Sequence, residues 1–479
     1  MKKLLTFLFS IFVLFIGTIV VLKHNQVSAE NQKDYVKNEI LVKFKEGVSS
    51  AEVNKTHKDL GGKAKKTIPG INVQVVTVEK DVGKSISAYA KNRNIDYVEP
   101  NFYAHALQIP NDSYFTNQWG FNNTGQECCN TAGDICTTGT VDADIDAPEA
   151  WNISIGNNAV LVAILDSGID QDHEDLQAKI ISNINFTDSS TYDDIYGHGT
   201  HVSGIAAAMT NNNLGVAGMA HQANLMNVKV LNDVGYGAYS WIADGIIWAT
   251  NNGAKVINMS LGGNRKSDTL KIAVDYAWDN GVLLVAAAGN SGNPSKTYPG
   301  YYENCIAVAA TDNHDNKASF SSYGSWVDVA APGENVYSTF PNHPFYLQTQ
   351  YGRSNNYDFG NGTSMSSPFV AGIAVLVWNT DLGLDNQEVR NKIEQEADPI
   401  TGTGSYWTWG RVNACNSVGG DCKDPSPSPE PSLSPSPSPE PSLSPSPSPE
   451  PNQCLNCFKG VCNGVCHPVK EDSSCPDCL

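Results

Sequence analysis

Four short runs of almost unbroken apolar residues constrain this chain more than any other feature: "AVLVAIL" (159–165), "AKVINMSL" (254–261), "VLLVAAA" (282–288) and "CIAVAA" (305–310). A strand with one wet face alternates polar and apolar residues, so a strand without alternation is buried on both faces. Between these runs lie stretches with helical spacing, such as "THVSGIAAAM" (200–209) and "SDTLKIAVDYAWDN" (267–280). Buried strands alternating with helices predict a doubly wound α/β domain, a mostly parallel sheet with helices on both faces. Such sheets bind ligands beyond the carboxyl ends of their strands, so the strand tips are where chemistry is to be sought.

The first run continues "AVLVAILDSGID" and leaves Asp166 at its tip, where an acid is solvated, capping or functional. The third ends "AAAGN", which puts Asn290, a side-chain amide donor, at another tip. In "YGHGTHVSGIAAAM", His198 stands between glycines at the start of a small-residue helix. His201, three residues on, reads as an inward-packing helix residue, because two histidines without an acid make a poor metal set. Finally "GNGTSMSSPFVAGIAVLVW" (360–378) sets Ser364, Ser366 and Ser367 at the mouth of a helix apolar enough to be wholly buried. Hydroxyls there either cap the helix or supply a nucleophile. An Asp, a His, an Asn and a Ser are the parts of an acyl-transfer site. The Ser attacks, the His takes and returns its proton, the Asp fixes the imidazole tautomer, and the Asn with a backbone N–H meets the oxyanion. The helix N-terminus adds a positive end beside the developing charge. Ser366 and Ser367 are expected to cap and turn, and Pro368 to fall in the first turn, where N–H groups lack intrahelical partners. The order Asp–His–Ser and the string G-T-S-M-S speak against an α/β-hydrolase, which needs G-x-S-x-G.

"ILDSGID", "GHGTHVSG", "AAAGN" and "GTSMSSPFVAG" resemble, in order, the four signature blocks of the subtilisin-like serine proteases, the subtilases. The resemblance runs over residues 107–414, and "NDSYF" (111–115) with "TNNNLGVAGMA" (210–220) places it nearest the thermitase branch. It implies a subtilisin-like serine endopeptidase with Asp166, His198 and Ser364 as triad and Asn290 as oxyanion donor. It implies that "SLGG", residues Ser260, Leu261, Gly262 and Gly263, pairs with an extended peptide substrate. It also implies a structural calcium ion held by Asp112, Asp175, the Asn212 side chain and the carbonyls of Met209, Leu214 and Val216, with "TNNNLGV" as an oxygen-rich loop interrupting a helix. The acidic "TDSSTYDD" (187–194) reads either as a second ion site or as a solvated loop.

The rest of the chain divides by composition. Residues 1–29 read as a signal peptide: two lysines, an apolar run of 19 residues from Leu4 to Leu22, and small residues before a cut after Ala29. The run is also long enough to be a retained membrane anchor. Either way the protein is expected outside the cell, where cysteines oxidise. Residues 30–106 resemble the family's inhibitor-like propeptides through "ILVKFKEGV" and "YVEPNFYAHA". That implies a small α+β, ferredoxin-like unit that occupies the active-site cleft and inhibits it until cut between His105 and Ile109. Its 13 Lys and Arg against 10 Asp and Glu face 15 against 40 in residues 107–479, a balance that argues against nucleic acid as a partner and suits pairing of the two parts.

The catalytic domain spans 107–423, followed by a Pro/Ser-rich linker (424–452) and a six-cysteine module (453–479). A polyproline tract of this length reaches roughly 80 Å. In the module, Cys454, Cys457, Cys475 and Cys478 match a C-x2-C…C-x2-C zinc pattern, while an oxidising compartment favours disulfides, and both readings stay open. Its place beyond a stiff stalk suggests a binding module for a cell-surface ligand. Cys128, Cys129 and Cys136 are expected to give one disulfide, Cys415 and Cys422 another, and Cys305 a buried thiol. A rival reading is a surface scaffold with a silent protease domain, which loss of a triad residue would favour; none is lost.

Overall fold

A computed structural model describes residues 35–102, 109–129 and 136–422. The signal segment, most of the 105–109 cleavage window, the linker and the six-cysteine module lie outside the described residues.

The first unit is β1 (Tyr35–Phe44), α1 (Ser50–Leu60), β2 (Gly62–Ile68), β3 (Val73–Val78), α2 (Val82–Tyr89) and β4 (Ile95–Phe102). Its antiparallel sheet has the order β2-β3-β1-β4, the split β-α-β arrangement expected of the propeptide. Helix α1 is fixed at both ends: Ser49 accepts from the Glu52 N–H, and Gly61 closes it at φ 75°. The core is Ile40, Val42, Val76, Val78, Val82, Tyr89 and Ile95.

The larger domain begins with a hairpin, β5 (Glu127–Cys129) and β6 (Cys136–Thr138), and helix α3 (Ala147–Trp151). Strands β7 (Leu161–Asp166), β8 (Ile180–Asn185) and β9 (Asn224–Lys229) follow, with α4 (His198–Ala207) between β8 and β9. Then come α5 (Tyr239–Asn251), β10 (Ala254–Met259), α6 (Asp268–Asp279), β11 (Leu283–Ala287), β12 (Ile306–Thr311) and β13 (Val329–Pro332). A second hairpin, β14 (Val336–Thr339) and β15 (Tyr357–Gly360), carries α7 (Tyr346–Tyr351) in its connection. The chain closes with α8 (Thr363–Thr380), α9 (Asn386–Gln395), β16 (Gly410–Arg411) and α10 (Ala414–Ser417).

Eight strands form one sheet in the order β16-β13-β12-β11-β10-β7-β9-β8, every pair parallel. Residues of β7 alternate between two cores. Val162 and Ile164 pack with Val202 of α4 and Phe369 and Ile373 of α8. Ala163 and Leu165 pack with Ile242 and Ile246 of α5 and Leu270 and Val274 of α6. After β7 the chain winds outward to β8 and β9, then crosses back to β10 and winds the other way. The carboxyl ends of β7 and β10 therefore border the crevice where open α/β sheets bind ligands.

Cys415 and Cys422 are bridged, Cα atoms 6.0 Å apart. Cys136 is disulfide-bonded, while Cys128 and Cys305 are buried free thiols.

Candidate active site

Asp166 is the last residue of β7 and wholly buried. Its Oδ1 lies 2.8 Å from Nδ1 of His198 and accepts the Ser167 N–H at 2.7 Å; Oδ2 is buried and makes no hydrogen bond. The carboxylate is thus held on one oxygen and directed at one imidazole. Burial pulls the His198 pKa down, but the Asp166 carboxylate, assisted by Asp194, outweighs it and leaves the imidazole above its ordinary 6.5.

Asp194, which sequence reasoning left in an uncommitted acidic loop, aims the histidine. Its Oδ1 accepts from Ser167 Oγ (2.8 Å) and the Gly197 N–H (2.7 Å); its Oδ2 accepts the Thr200 N–H (2.8 Å) and Thr200 Oγ (2.7 Å). The Gly197 and Thr200 N–H groups are free donors at the start of α4, so a buried acid four residues before His198 caps the helix that carries it. Gly197 turns the chain at φ 104° and leaves room for Phe345, which a Cβ there would meet at 2.4 Å. His201 faces inward, wholly buried, its ring against Phe340.

Ser364 stands in the first turn of α8, behind Gly362 at φ 146°. The N-cap, Gly362, has no side chain to cap the helix, and Ser366 and Ser367 do not take the expected capping role. Ser366 Oγ instead donates to the carbonyls of Ala331 (3.0 Å) and Pro332 (3.1 Å), and Ser367 Oγ lies 2.8 Å from Ser260 Oγ. Both hydroxyls are wholly buried and tie the helix to the sheet. Pro368 also departs from expectation: it sits inside α8, past the turn whose N–H groups are free. A residue there would have donated to the Ser364 carbonyl four back; Pro cannot, and Ser260 Oγ donates to that carbonyl at 2.7 Å instead. Ser364 Oγ in turn donates to the Ser260 carbonyl at 3.0 Å. The serine is therefore held from both its backbone and its side chain by the residue just beyond β10.

Asn290 follows β11. Its Oδ1 accepts the Thr363 N–H (2.9 Å) and Thr363 Oγ (3.0 Å), which leaves Nδ2 as the end able to donate outward. A Cβ on Gly362 would come within 3.2 Å of that Nδ2.

A cleft of about 370 Å³ opens beside these groups, lined by Tyr196, His198, Leu231, Tyr236, Ser260 and Leu261 among others. Of the four "SLGG" positions, Gly263 is committed to Tyr298, exchanging backbone hydrogen bonds of 2.9 and 2.8 Å. The Ser260 carbonyl is committed to Ser364, whereas the backbones of Leu261 and Gly262 carry no hydrogen bond among the described residues and face the cleft. That is a free strand edge, able to add an extended peptide.

Asp112, Asp175 and Asn212 converge elsewhere, at the end of α4. Asp112 accepts the Asn211 N–H (2.9 Å), while Asp175 accepts Asn212 Nδ2 (2.7 Å), the Val216 N–H (2.9 Å) and Tyr357 OH (3.0 Å). Met209 donates its N–H to the Asp175 carbonyl at 2.8 Å, and Leu214 is exposed at the rim. The loop does not interrupt a helix as expected; α4 ends at Ala207 and the chain runs on to β9. Both carboxylates are buried, neither is ion-paired among the described residues, and burial with the nearby Asp175 charge raises the Asp112 pKa. Two buried acids with no cationic side chain beside them form a hard oxygen set that fits calcium.

An Asp–His pair and a serine at a helix mouth, set at the switch point of a parallel sheet, form the apparatus of a serine hydrolase. The subtilase family model matches residues 157–421, and the chain belongs to that family: it is a serine endopeptidase. A fervidolysin N-terminal prodomain model matches residues 23–101, so a prodomain precedes the protease. The chain is 39% identical over 399 residues to a thermophilic serine proteinase of a Bacillus species, covering 82% of this chain and 90% of that one. It is 48% identical to thermitase of Thermoactinomyces vulgaris, over 57% of this chain and 93% of that one. Among solved structures, fervidolysin of Fervidobacterium pennivorans superposes with a TM-score of 0.53 at 28% identity, over 81% of this chain and 62% of that one.

Proposed function

We propose that this is an exported endopeptidase that cuts protein substrates bound in extended form, through an acyl-enzyme on Ser364, and that it matures by removing its own prodomain. His198 takes the Ser364 proton as Oγ attacks the scissile carbonyl. Asp166 stabilises the imidazolium that forms and fixes Nδ1–H toward itself, leaving Nε2 as base. Asn290 Nδ2, with a backbone N–H at the start of α8, meets the oxyanion; such a donor is worth about 3 kcal/mol of barrier. His198 then returns the proton to the leaving amine, and water repeats the sequence to release the acid. Leu261 and Gly262 pair with the substrate backbone, so the enzyme reads extended chains rather than folded surfaces. The observations that carry this reading are the 2.8 Å His198–Asp166 contact at the tip of β7 and a serine at the mouth of α8 anchored through both backbone and side chain by Ser260.

Calcium belongs to the proposal as a structural ion at Asp112, Asp175, Asn212 and the neighbouring carbonyls. Bound there, it would neutralise two buried carboxylates; it takes no part in the acyl chemistry. The six-cysteine module, with zinc or disulfides at its core, is proposed to tether the enzyme to a surface ligand, and the propeptide to act as inhibitor until released.

The test is intact mass and N-terminal sequence of the wild type beside Ser364→Ala, both expressed from residue 30. Self-processing requires that the wild type lose the segment up to a cut between His105 and Ile109 while the variant keeps it. Full-length wild type that also leaves a peptide substrate uncut would favour the silent scaffold instead.

A further inference from the structure

Beside the catalytic histidine's loop lies a group of side chains that the proteolytic mechanism does not use. One carboxylate oxygen each of Asp170 and Asp193 and a ring nitrogen of His343 lie within 4.8 Å of one another. They come from three separate stretches: the turn after β7, the loop before α4, and the connection between β14 and β15.

The hydrogen bonds around the group brace both carboxylates and leave His343 Nε2 without a partner. His343 Nδ1 lies 3.1 Å from the Pro344 carbonyl, an acceptor only, so Nδ1 carries a proton and Nε2 is the nitrogen left to meet a metal or a second proton. That Nε2 is buried, makes no hydrogen bond, and lies 3.5 Å from Asp193 Oδ2. The other Asp193 oxygen is occupied by the Asp194 N–H (3.0 Å) and the Gln171 N–H (3.3 Å). Asp170, wholly buried, accepts one backbone N–H on each oxygen, from Asn342 on Oδ2 (2.8 Å) and from Asp172 on Oδ1 (3.2 Å), and each oxygen keeps a further lone pair. An imidazole with its far N–H on a backbone carbonyl, facing two carboxylates braced by backbone donors, is the outer arrangement that ligating side chains require.

A lone pair aimed at two carboxylates is repulsive, and only a shared cation or a proton relieves it. We infer that Asp170, Asp193 and His343 form a binding site for a divalent transition metal of the zinc class. One imidazole and two carboxylates suit zinc better than calcium, which prefers oxygen alone. Three protein ligands leave a fourth position for water.

The ion would act as a cross-link. Just past His343, Tyr346 and Leu347 donate their N–H groups to the carbonyls of Ile195 (2.8 Å) and Tyr196 (3.1 Å), and the rings of Tyr346 and Tyr196 stack 5.5 Å apart. Tyr196 lines the substrate cleft and precedes His198 by two residues. A metal at Asp170, Asp193 and His343 pins the β14–β15 connection to the loop that delivers the catalytic base.

The test uses the full chain carrying Ser364→Ala, to prevent self-digestion, in saturating calcium. Zn2+ binding is counted by equilibrium dialysis, and the thermal midpoint is read with and without Zn2+. Adding His343→Gln, and separately Asp193→Asn, should each remove one equivalent of Zn2+ per chain and abolish the Zn2+-dependent rise in midpoint, whatever zinc the C-terminal cysteines hold. In the parent, Co2+ should give a visible spectrum without a thiolate charge-transfer band for this equivalent. Unchanged zinc stoichiometry in both variants, or cobalt bound by thiolates alone, overturns the proposal and leaves an imidazolium–carboxylate pair. Should one variant fail to fold, the other variant and the cobalt spectrum of the parent decide.

Discussion

His198 shows how little of a functional residue's behaviour belongs to the residue itself. Its imidazole is pulled one way by burial and the other by Asp166 and Asp194, and the acids win. If His198 is the general base, it must be neutral to accept the serine proton, so a pKa above 6.5 moves the acid limb of the rate profile upward. With substrate well below KM, kcat/KM should fall as pH drops through a midpoint higher than that of a free histidine; a midpoint at or below 6.5 would contradict the assignment. Replacing Asp166 with Asn removes the largest raising influence and the tautomer constraint together. The midpoint should move down, and kcat should drop about 10⁴-fold. A variant that kept the wild-type midpoint would mean that Asp194 dominates instead.

Among the elements, legibility followed burial. Strands β7, β10, β11 and β12 were plain in the sequence because both faces are covered, so every residue carries the signal. Edge strand β8, "IISNIN", is only half-buried along its length and reads as loop; β16 has two residues and no period at all. The tip residues Asp166 and Asn290 were legible because a polar residue ending an apolar run stands out. The roles of Ser366, Ser367 and Ser260 were not, since the bonds that occupy them join segments far apart in the chain. His343 was invisible for the same reason: nothing local marks a histidine whose partners lie at 170 and 193. The loop after α4 carries its own prediction. If calcium neutralises Asp112 and Asp175, an ion at about a hundred times its dissociation constant stabilises by about 2.7 kcal/mol. For a domain of this size that is a rise of roughly 4 °C in midpoint. Measured in Ser364→Ala with and without chelator, the rise should appear in the parent and vanish in Asp175→Asn. A chelator effect of equal size in both would place the ion elsewhere.

At the scale of the whole molecule, the question is which parts catalysis needs. The sheet's last strand, β16, pairs with β13, and α10 packs its Ala414 and Cys415 into the core beneath α8. The chain is then fastened: Asn413 Nδ2 donates to the Cys422 carbonyl at 3.0 Å, Cys422 donates its N–H to Asn416 Oδ1 at 2.9 Å, and the disulfide closes the turn. The family model ends at almost the same place, residue 421. None of the groups assigned to chemistry or calcium lies beyond it. A chain ended after Cys422 should therefore mature and cleave a short peptide with kcat/KM within about twofold of the full chain. The prodomain is a different case: it has a core of its own, seven buried side chains, while the protease sheet is built from parallel strands joined by long crossovers, a slow topology that a preformed partner would assist. Omitting residues 30–106 should leave little active enzyme on refolding, and adding them as a separate chain should restore the yield and inhibit the product until they are digested. If the C-terminal truncation abolished peptide cleavage while leaving the thermal midpoint unchanged, the cysteine module would have to contact the cleft, and the tether reading would fall.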